Sequence, residues 1–324
     1  MVTAAAKDAA KVKARPVATG LDNPTGIAVH PKTGELYVAT HTGVLHVVPK
    51  KGGGVHPEIV GFGTDIYGKG PKYEIGPLGL AFWGKDKLVV GDGSRPDGEE
   101  LVRIYKLPAG APHEPLKETD AVYTLGPIKA GEKSARGEGN FYGVAVGAGA
   151  IFVTCNGDDT KGWVAKANIK GGTPEQLEPT IATKVATGVD APVAITFSPD
   201  GDLVIGQMGE MTVPGDSLLT FYDPKTGKLK KKFETGLSDI AGLAYHPKTG
   251  ELYAVDFAWS DTSKGGLFKL TVEGDKVKAE KVLALDRPTA LAFDRKGTLY
   301  VTVFGFGKKK TEGPRGAVLR IRGL

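Results

Sequence analysis

The sequence predicts an all-β protein, a six-bladed β-propeller whose blades are four-stranded antiparallel sheets. The first observation is the stretch at residues 21–40, LDNPTGIAVHPKTGELYVAT, in which two short apolar segments flank a polar turn. Both segments are too short for helices and rich in β-favouring residues. The second observation is repetition, because six copies of this pattern are anchored at positions 26, 79, 143, 194, 242 and 290. A spacing of 48 to 64 residues is typical of propeller blades.

Each copy supplies two inner strands and the turn between them. In the first copy, Pro31 presets φ for the turn and Gly34 accepts the positive φ that ends a hairpin loop. The same HPKTGEL turn returns letter for letter at residues 246–252. A third strand is predicted in every copy, at residues 44–48, 101–107, 163–169, 218–222, 267–272 and 318–321. A fourth is predicted in the middle copies, at residues 121–124, 183–187, 231–235 and 281–285.

The two ends of the chain predict how the ring closes. The last copy stops after its third strand, whereas residues 11–19, KVKARPVAT, form a spare strand ahead of the first copy. We therefore expect the spare strand to complete the last blade, which leaves no open edge in the ring. Residues 1–10 are expected to be a disordered tail, and residues 11–324 a single domain.

Composition narrows the class of partner. The net charge of +5 favours anionic partners weakly, but no basic stripe alternates with aromatic residues, so no nucleic-acid partner is expected. Cys155 is the single cysteine, which excludes an intrachain disulfide. No apolar run is long enough to span a membrane. We expect a monomer. The first fifteen residues lack the apolar core of a signal peptide, as in a periplasmic or secreted protein after cleavage, or in a cytosolic one.

The connections predict which face carries the function. Turns between the first and second strands are short and stereotyped, and they define a bottom face. The loops on the opposite, top face are long and individual, which is typical of loops that build sites. They comprise residues 62–76, 91–100, 128–140, 207–217, 257–265 and 304–316.

A recurring acidic or amide residue precedes the first strand of most blades at the top of the channel. The set comprises Asp22, Asn23, Asn140, Asp190, Asp239 and Asp286. A ring of such oxygens suits a hard cation such as calcium. Alternatively, each aspartate caps the local backbone in an Asx-type turn. The residues proposed for a divalent cation are Asn23, Asn140, Asp190 and Asp239.

The leading functional hypothesis is a binding site for a small or extended polar ligand, anionic or carbohydrate in nature, on the top face. Top-face cations and aromatic side chains motivate it, because they bind acidic groups and stack on sugar rings. The cations are Lys69, Lys72, Lys133, Arg136 and residues 308–310; the aromatics are Tyr67, Tyr73, Phe141, Tyr142, Trp259 and Phe304. The proposed ligand contacts are Arg136, Asn140, Tyr142, Asp190 and Trp259.

Whether the protein is an enzyme is left open by the residues. His41 lies at the end of a second strand on the top face, where it could act as a general base. Asp190 and Asp239 are the other catalytic candidates. Neither a nucleophile elbow nor a zinc-binding HExxH motif is present.

The blades GLAYHPKTGELYAVD and ALAFDRKGTLYVTV resemble those of the gluconolactonase/regucalcin family and of NHL-type and strictosidine-synthase-like propellers. The first resemblance implies a divalent-metal-dependent lactonase or esterase, with acidic and amide ligands directly before each anchor. Those positions here hold no carboxylate or amide, since they are Thr25, Leu78, Tyr142, Val193, Ala241 and Thr289. LDNPTGIAV also resembles the inner strand of soluble quinoprotein sugar dehydrogenases, which implies a histidine and an arginine near a calcium site, for which His41 and Arg136 are the candidates.

Overall fold

The computed structural model describes residues 12–50, 53–108, 113–306 and 313–324. It contains six antiparallel blades, numbered here in chain order, and confirms the predicted propeller. The strands of each blade are given from the channel outward. Blade 1 consists of Gly26–Val29, Leu36–Thr40, Gly43–Val47 and Val55–Val60, and blade 2 of Pro77–Trp83, Lys87–Asp92, Val102–Lys106 and Tyr123–Leu125. Blade 3 consists of Val144–Gly147, Ala150–Thr154, Trp163–Lys170 and Glu178–Ala182. The strands of blades 4 and 5 are Pro192–Phe197, Leu203–Gln207, Leu218–Tyr222 and Leu229–Glu234; and Ile240–Tyr245, Leu252–Asp256, Gly266–Glu273 and Lys276–Ala284.

Blade 6 closes the ring as predicted. Its inner strands are Asp286–Phe293, Leu299–Gly305 and Gly316–Arg322, and its outer strand is the N-terminal segment Lys13–Leu21. The last two strands pair antiparallel from Lys13 opposite Arg322 to Leu21 opposite Gly316. The closure therefore joins the two ends of the chain through backbone hydrogen bonds. The tail expected at residues 1–10, residue 11 of the expected closing strand and the lysines at 308–310 lie outside the described residues.

Minor elements complete the sheets. A parallel bridge adds Leu116–Lys117 to blade 1, and Thr173–Pro174 pairs with the third strand of blade 3. A small hairpin, Asp65–Tyr67 with Tyr73–Ile75, occupies the predicted top loop at residues 62–76. Two 3₁₀ turns lie at Glu118–Asp120 and Thr262–Lys264. None of the helices in the described ranges has the length and apolar character needed to cross a bilayer.

One predicted strand is wrong. Residues 183–187 were expected to form the outer strand of blade 3, but Thr183–Thr187 is a short α-helix that ends at Gly188 in the left-handed conformation. The β-branched residues of this segment favour a strand. However, Glu178–Ala182 already pairs with the third strand, so the following segment has no free strand edge to join. Tertiary pairing therefore overrides local propensity here.

The core lies between the blades. Six clusters of buried apolar side chains fill the interfaces between neighbouring sheets, and the second strands contribute most of the fully buried positions. At the bottom, the two HPKTG turns have the same hydrogen bonds, because Nδ1 of His30 and of His246 each accepts from two backbone N–H groups of its turn. Both histidines therefore have a structural role in reversing the chain.

Candidate ligand site at the top of the channel

The residues that directly precede the blade anchors meet at the axis of the propeller. All six of them line one narrow cavity: Thr25, Leu78, Tyr142, Val193, Ala241 and Thr289. The hydroxyl groups among them bond to neighbouring backbone, with Thr25 Oγ1 donating to the Pro77 carbonyl at 2.9 Å. The Tyr142 hydroxyl crosses the channel from blade 3 and donates to the Thr289 carbonyl in blade 6 at 2.8 Å. The six positions before the anchors therefore leave a mostly apolar axis, and the hydroxyl groups of Thr25, Tyr142 and Thr289 are bonded to backbone.

Aromatic side chains cover this cavity from above. The small hairpin places Tyr67 and Tyr73 over the channel mouth, where both rings pack edge-on against Trp259 from blade 5. Trp259 also stacks on Phe257, with ring centroids 4.5 Å apart, and Tyr73 contacts Phe304 at 5.0 Å. The space left beneath these rings has a volume of only about 60 Å³. The hairpin thus acts as a plug, and little room for a ligand remains below it.

A wider cavity of about 340 Å³ opens on the top face beside the plug. It shares Tyr67, Asn140, Asn156 and Met208 with the channel cavity below. Its walls come from the hairpin, from the top loops of blades 2 to 4 and from residues at the top of those blades. The charged residues that line it are Asp65, Lys69, Asp97, Arg136, Asp159, Asp190 and Glu210. We call this space the upper cavity.

Carboxylates dominate the electrostatics of the upper cavity. Lys184 Nζ lies 2.8 Å from Asp190 Oδ2, and Lys69 Nζ lies 3.4 Å from Glu210 Oε2. Desolvation, and then the charge of Asp190, raises the pKa of Asp159. Desolvation, followed by the charges of Asp159 and Asp65, raises the pKa of Asp97. Repulsion among the carboxylates of the upper cavity therefore favours binding of a ligand that brings positive charge or hydrogen-bond donors.

Asn140 joins the two cavities. It adopts a left-handed φ of 47°, and its backbone N–H donates to Glu100 Oε2 beneath it. Its side-chain amide lies 3.4 Å from Asp97 Oδ1. Glu100 is completely buried, and this burial raises the pKa of its carboxyl group to about 9. The neutral carboxyl group supports Asn140 from below without adding charge to the site.

The structure gathers the five proposed ligand contacts around these cavities. Arg136, Asn140 and Asp190 line the upper cavity. Asn140, Tyr142 and Trp259 line the channel cavity. Burial of the Tyr142 ring raises the pKa of its hydroxyl, which is already bonded to blade 6, so this group is less accessible than the sequence suggested.

Two other residues from the sequence hypothesis are unsuited to contact a ligand. Phe141 has no exposed surface and packs in the core with Val102 and Val153, between blades 2 and 3. The sequence placed it among the top-face aromatics, but its ring packs into this core cluster instead. Lys133 pairs with Glu178 at 2.8 Å and does not line either cavity.

His41 lies elsewhere on the top face. Its Nδ1 lies 2.8 Å from Asp22 Oδ2, and its Nε2 lies 2.9 Å from Thr64 Oγ1. Both ring nitrogens are therefore engaged, and His41 lines neither cavity. Its role as a general base stays a prediction, and a substrate in the upper cavity would not reach it directly.

The proposed cation ligands are separated. Asn140 and Asp190 line the upper cavity, whereas Asn23 donates its side-chain amide to the Glu74 carbonyl, and Asp239 accepts from the Trp259 backbone N–H at 2.6 Å. Asp190 likewise accepts from the N–H of Ala191, so both aspartates cap local backbone. Throughout the described ranges, no three histidine, cysteine or acidic side chains are grouped so that they could hold a metal ion.

The residues that sequence reasoning undervalued are the acids of the top loops. Asp65, Asp97, Asp159 and Glu210 line the upper cavity, yet none of them is among the candidate residues named from the sequence. Asp65, Asp97 and Glu210 lie in the predicted long top loops, whereas Asp159 follows the second strand of blade 3. Which of these loops meet is decided by the order of the blades around the ring.

The fold and its top face define a six-bladed propeller with a plugged channel and an acidic upper cavity. Solved structures with this fold cover almost the whole chain. The PQQ-bound aldose sugar dehydrogenase from Streptomyces coelicolor is 17% identical, with a TM-score of 0.63 over 96% of this chain and 99% of that chain. The apo-form aldose sugar dehydrogenase from Escherichia coli is 14% identical, with a TM-score of 0.62 over 97% and 100%.

A structure described as a putative gluconolactonase is also similar, at 14% identity and a TM-score of 0.60 over 96% of this chain and 92% of that chain. No family model matches the sequence. No curated protein matches it either. At these identities the structural likeness establishes the fold alone, so the function has to be argued from the site.

Proposed function

We propose that this protein binds a small polar ligand in the upper cavity, and that the ligand carries a cationic group or several hydroxyl groups. The observation that carries the proposal is the gathering of Asp97, Asp159 and Asp190 around one cavity with Asn140 and Arg136. A cavity of this size accommodates a ligand of amino-sugar or small-amine size. The aromatic plug at its edge offers Tyr67 as a stacking surface.

The charge of the cavity supports a choice among the ligand classes that the sequence left open. An anionic ligand would meet five lining carboxylates and only two lining cations, Lys69 and Arg136. One of these cations, Lys69, already lies against Glu210. Lys184 pairs with Asp190, which still leaves Asp65, Asp97 and Asp159 to repel an anion. A neutral sugar or an amine avoids this repulsion and supplies donors to the carboxylates. We therefore favour these two classes over acidic glycans at this site.

The two enzymatic alternatives find less support. A lactonase would need metal ligands at the positions directly before the blade anchors. Those positions hold apolar residues, two threonines and a tyrosine whose hydroxyl is already bonded. A quinoprotein dehydrogenase would need space for a large anionic cofactor. The channel cavity is too small and is covered by aromatic rings, and the carboxylates of the upper cavity would repel an anion. Neither group fits these residues, so no reaction step is derived through a metal or a quinone.

A ligand screen by thermal shift tests the proposal. Hexosamines and small diamines are expected to raise the melting temperature progressively, with the logarithm of ligand concentration once it exceeds the dissociation constant. The corresponding uronic acids are expected to have no effect. In Asp97→Asn and Asp159→Asn we expect about fivefold to tenfold weaker binding, since each change removes one charge-assisted contact.

Asp200→Asn is the matched control, because Asp200 is an exposed aspartate in a bottom turn and lines neither cavity. It should leave the affinity unchanged. Preferential binding of the uronic acids would contradict the proposal that the upper cavity favours cationic or neutral ligands. Equal weakening in Asp97→Asn and Asp200→Asn would contradict the location of the site.

A further inference from the structure

A second groove lies on the opposite face, at the bottom of the seam between blade 6 and blade 1. Its volume is about 660 Å³, larger than that of the upper cavity. Four cations line it: Lys32, Lys50, Arg295 and Lys296. The acidic residues in its wall are Glu35 and Asp294. We call this feature the seam groove.

The two acids of the seam groove are engaged by their own turns. Glu35 Oε2 accepts a hydrogen bond from Thr33 Oγ1 at 2.9 Å and lies 3.4 Å from His46 Nε2. Asp294 Oδ1 accepts from the backbone N–H groups of Lys296 and Thr298, both at 2.8 Å. The four lining cations, in contrast, form no ion pair with any acid in the described ranges. Their charges are therefore available to a ligand.

The third strand of blade 6 and its N-terminal closing strand place further cations beside the same seam. In the closing strand pair, Lys13 lies directly opposite Arg322 and Arg15 opposite Arg320. Like charges opposite each other destabilise a sheet, so local pairing does not account for them. Strand alternation puts Arg320 and Arg322 on the same face as Val318, which packs in the cluster that joins blades 6 and 1.

Arg320 connects the cations of these two strands with the seam groove. Its Nη2 donates to the carbonyl of Pro49, a residue that lines the groove, at 2.8 Å. Its Nε is buried and has no hydrogen-bond partner among the described residues. The bottom of the seam therefore carries two blocks of four cations, one in the groove and one on the adjoining strands.

We propose that the seam groove and the adjoining strands bind a segment of anionic polysaccharide that carries sulfate or carboxylate groups. Cations on one strand repeat about every 7 Å, and those on paired strands lie about 5 Å apart. Such a fixed array matches a linear chain of anionic groups better than it matches one small anion. The site is separate from the upper cavity, and the inference does not depend on the ligand proposed there.

Two other polyanionic partners fit less well. Two aromatic rings line the groove, and both are engaged by neighbouring rings. Phe293 packs edge-on against His246 at 5.0 Å and Tyr253 at 5.6 Å, and His30 packs edge-on against Phe82 at 5.0 Å, so neither is well placed to stack on a nucleic-acid base. The exposed large apolar side chains of the described ranges lie outside the groove, so nothing there would insert into a lipid surface.

Calorimetric titration with a heparin-derived octasaccharide tests the proposal on the full chain. We expect saturable binding at 50 mM salt and at least tenfold weaker binding at 300 mM, because released counterions oppose association. Lys32→Glu should weaken binding about tenfold, since it replaces an attraction by a repulsion. Lys296→Glu, on the blade 6 side of the groove, should do the same.

Lys248→Glu is the matched control. Lys248 occupies the equivalent position of the second HPKTG turn, has the same backbone hydrogen bond to its turn histidine, and does not line the groove. It should leave the affinity within about twofold of the wild type. Equal weakening by Lys32→Glu and Lys248→Glu would overturn the proposal, because net charge alone would then explain binding. Absence of binding at 50 mM salt, or tighter binding of a DNA duplex or of anionic vesicles than of the octasaccharide, would also overturn it.

Discussion

Glu100 shows how a single residue can couple the candidate site to pH. Its carboxyl group is completely buried, and burial raises its pKa to about 9, against 4.5 for the unperturbed group. The folded protein therefore holds a proton that the unfolded chain has lost at neutral pH. Stability consequently falls as pH rises from about 4.5 towards 9, by up to about 1.4 kcal/mol per pH unit.

Glu100→Gln should remove this dependence. The amide is neutral at every pH and still presents an oxygen to the Asn140 N–H, so the fold and the support of Asn140 are retained. Urea unfolding at pH 5, 7 and 8 should give a shallower decline in the free energy of unfolding for Glu100→Gln than for the wild type. Glu99→Gln, at the exposed neighbouring position, should keep the wild-type slope. A wild-type slope in Glu100→Gln would show that Glu100 is ionised in the folded state.

At the scale of elements, the closing strand and the plug hairpin have different structural roles. Lys13–Leu21 completes the sheet of blade 6 and covers the edge of Gly316–Arg322. Its Ala18 and Leu21 also enter the core cluster between blades 6 and 1. Among the described strands, the hairpin forms a separate two-stranded sheet, and it contributes rings to the channel mouth. The closing strand therefore stabilises the ring, and the hairpin shapes the site.

Deletion of residues 1–21 should destabilise the whole protein. It removes the outer strand of blade 6, exposes the edge of the preceding strand and uncovers part of the core. We expect a loss of roughly 3 to 5 kcal/mol in the free energy of unfolding, measured by urea denaturation. Deletion of residues 1–10 alone keeps the strand and is the length control, with no change expected. Equal stability of the two truncations would contradict the role of the closing strand.

At the scale of the whole molecule, the ring separates two kinds of charge. Carboxylates line the upper cavity at the top of blades 2 to 4. The seam groove at the bottom of blades 6 and 1 is lined by cations that pair with no acid in the described part of the chain. The intervening sheets are joined by rigid, close-packed cores. The two proposed ligands, which have opposite charges, would therefore occupy separate positions on one rigid body.

The two sites should be energetically independent. Asp97→Asn should leave the affinity for the octasaccharide unchanged, and Lys32→Glu should leave the affinity for an amine ligand unchanged. In the double variant each loss should equal that of the corresponding single variant, within about 0.5 kcal/mol. Titration of each ligand in the presence of saturating amounts of the other measures any coupling. A change greater than about threefold in either affinity would contradict independence.

The sequence by itself determined the fold, because each blade repeats a local pattern of short apolar strands and tight turns that needs no long-range information. It also determined the ring closure and the absence of carboxylates at the six channel positions, since these follow from where the repeats begin and end. Tertiary structure alone decided the rest. The helix at Thr183–Thr187 depends on which strand edge was already occupied. The burial of the Phe141 ring depends on how blades 2 and 3 pack against each other. Both charged sites combine residues far apart in the chain, so their composition depends on how the blades are arranged around the ring.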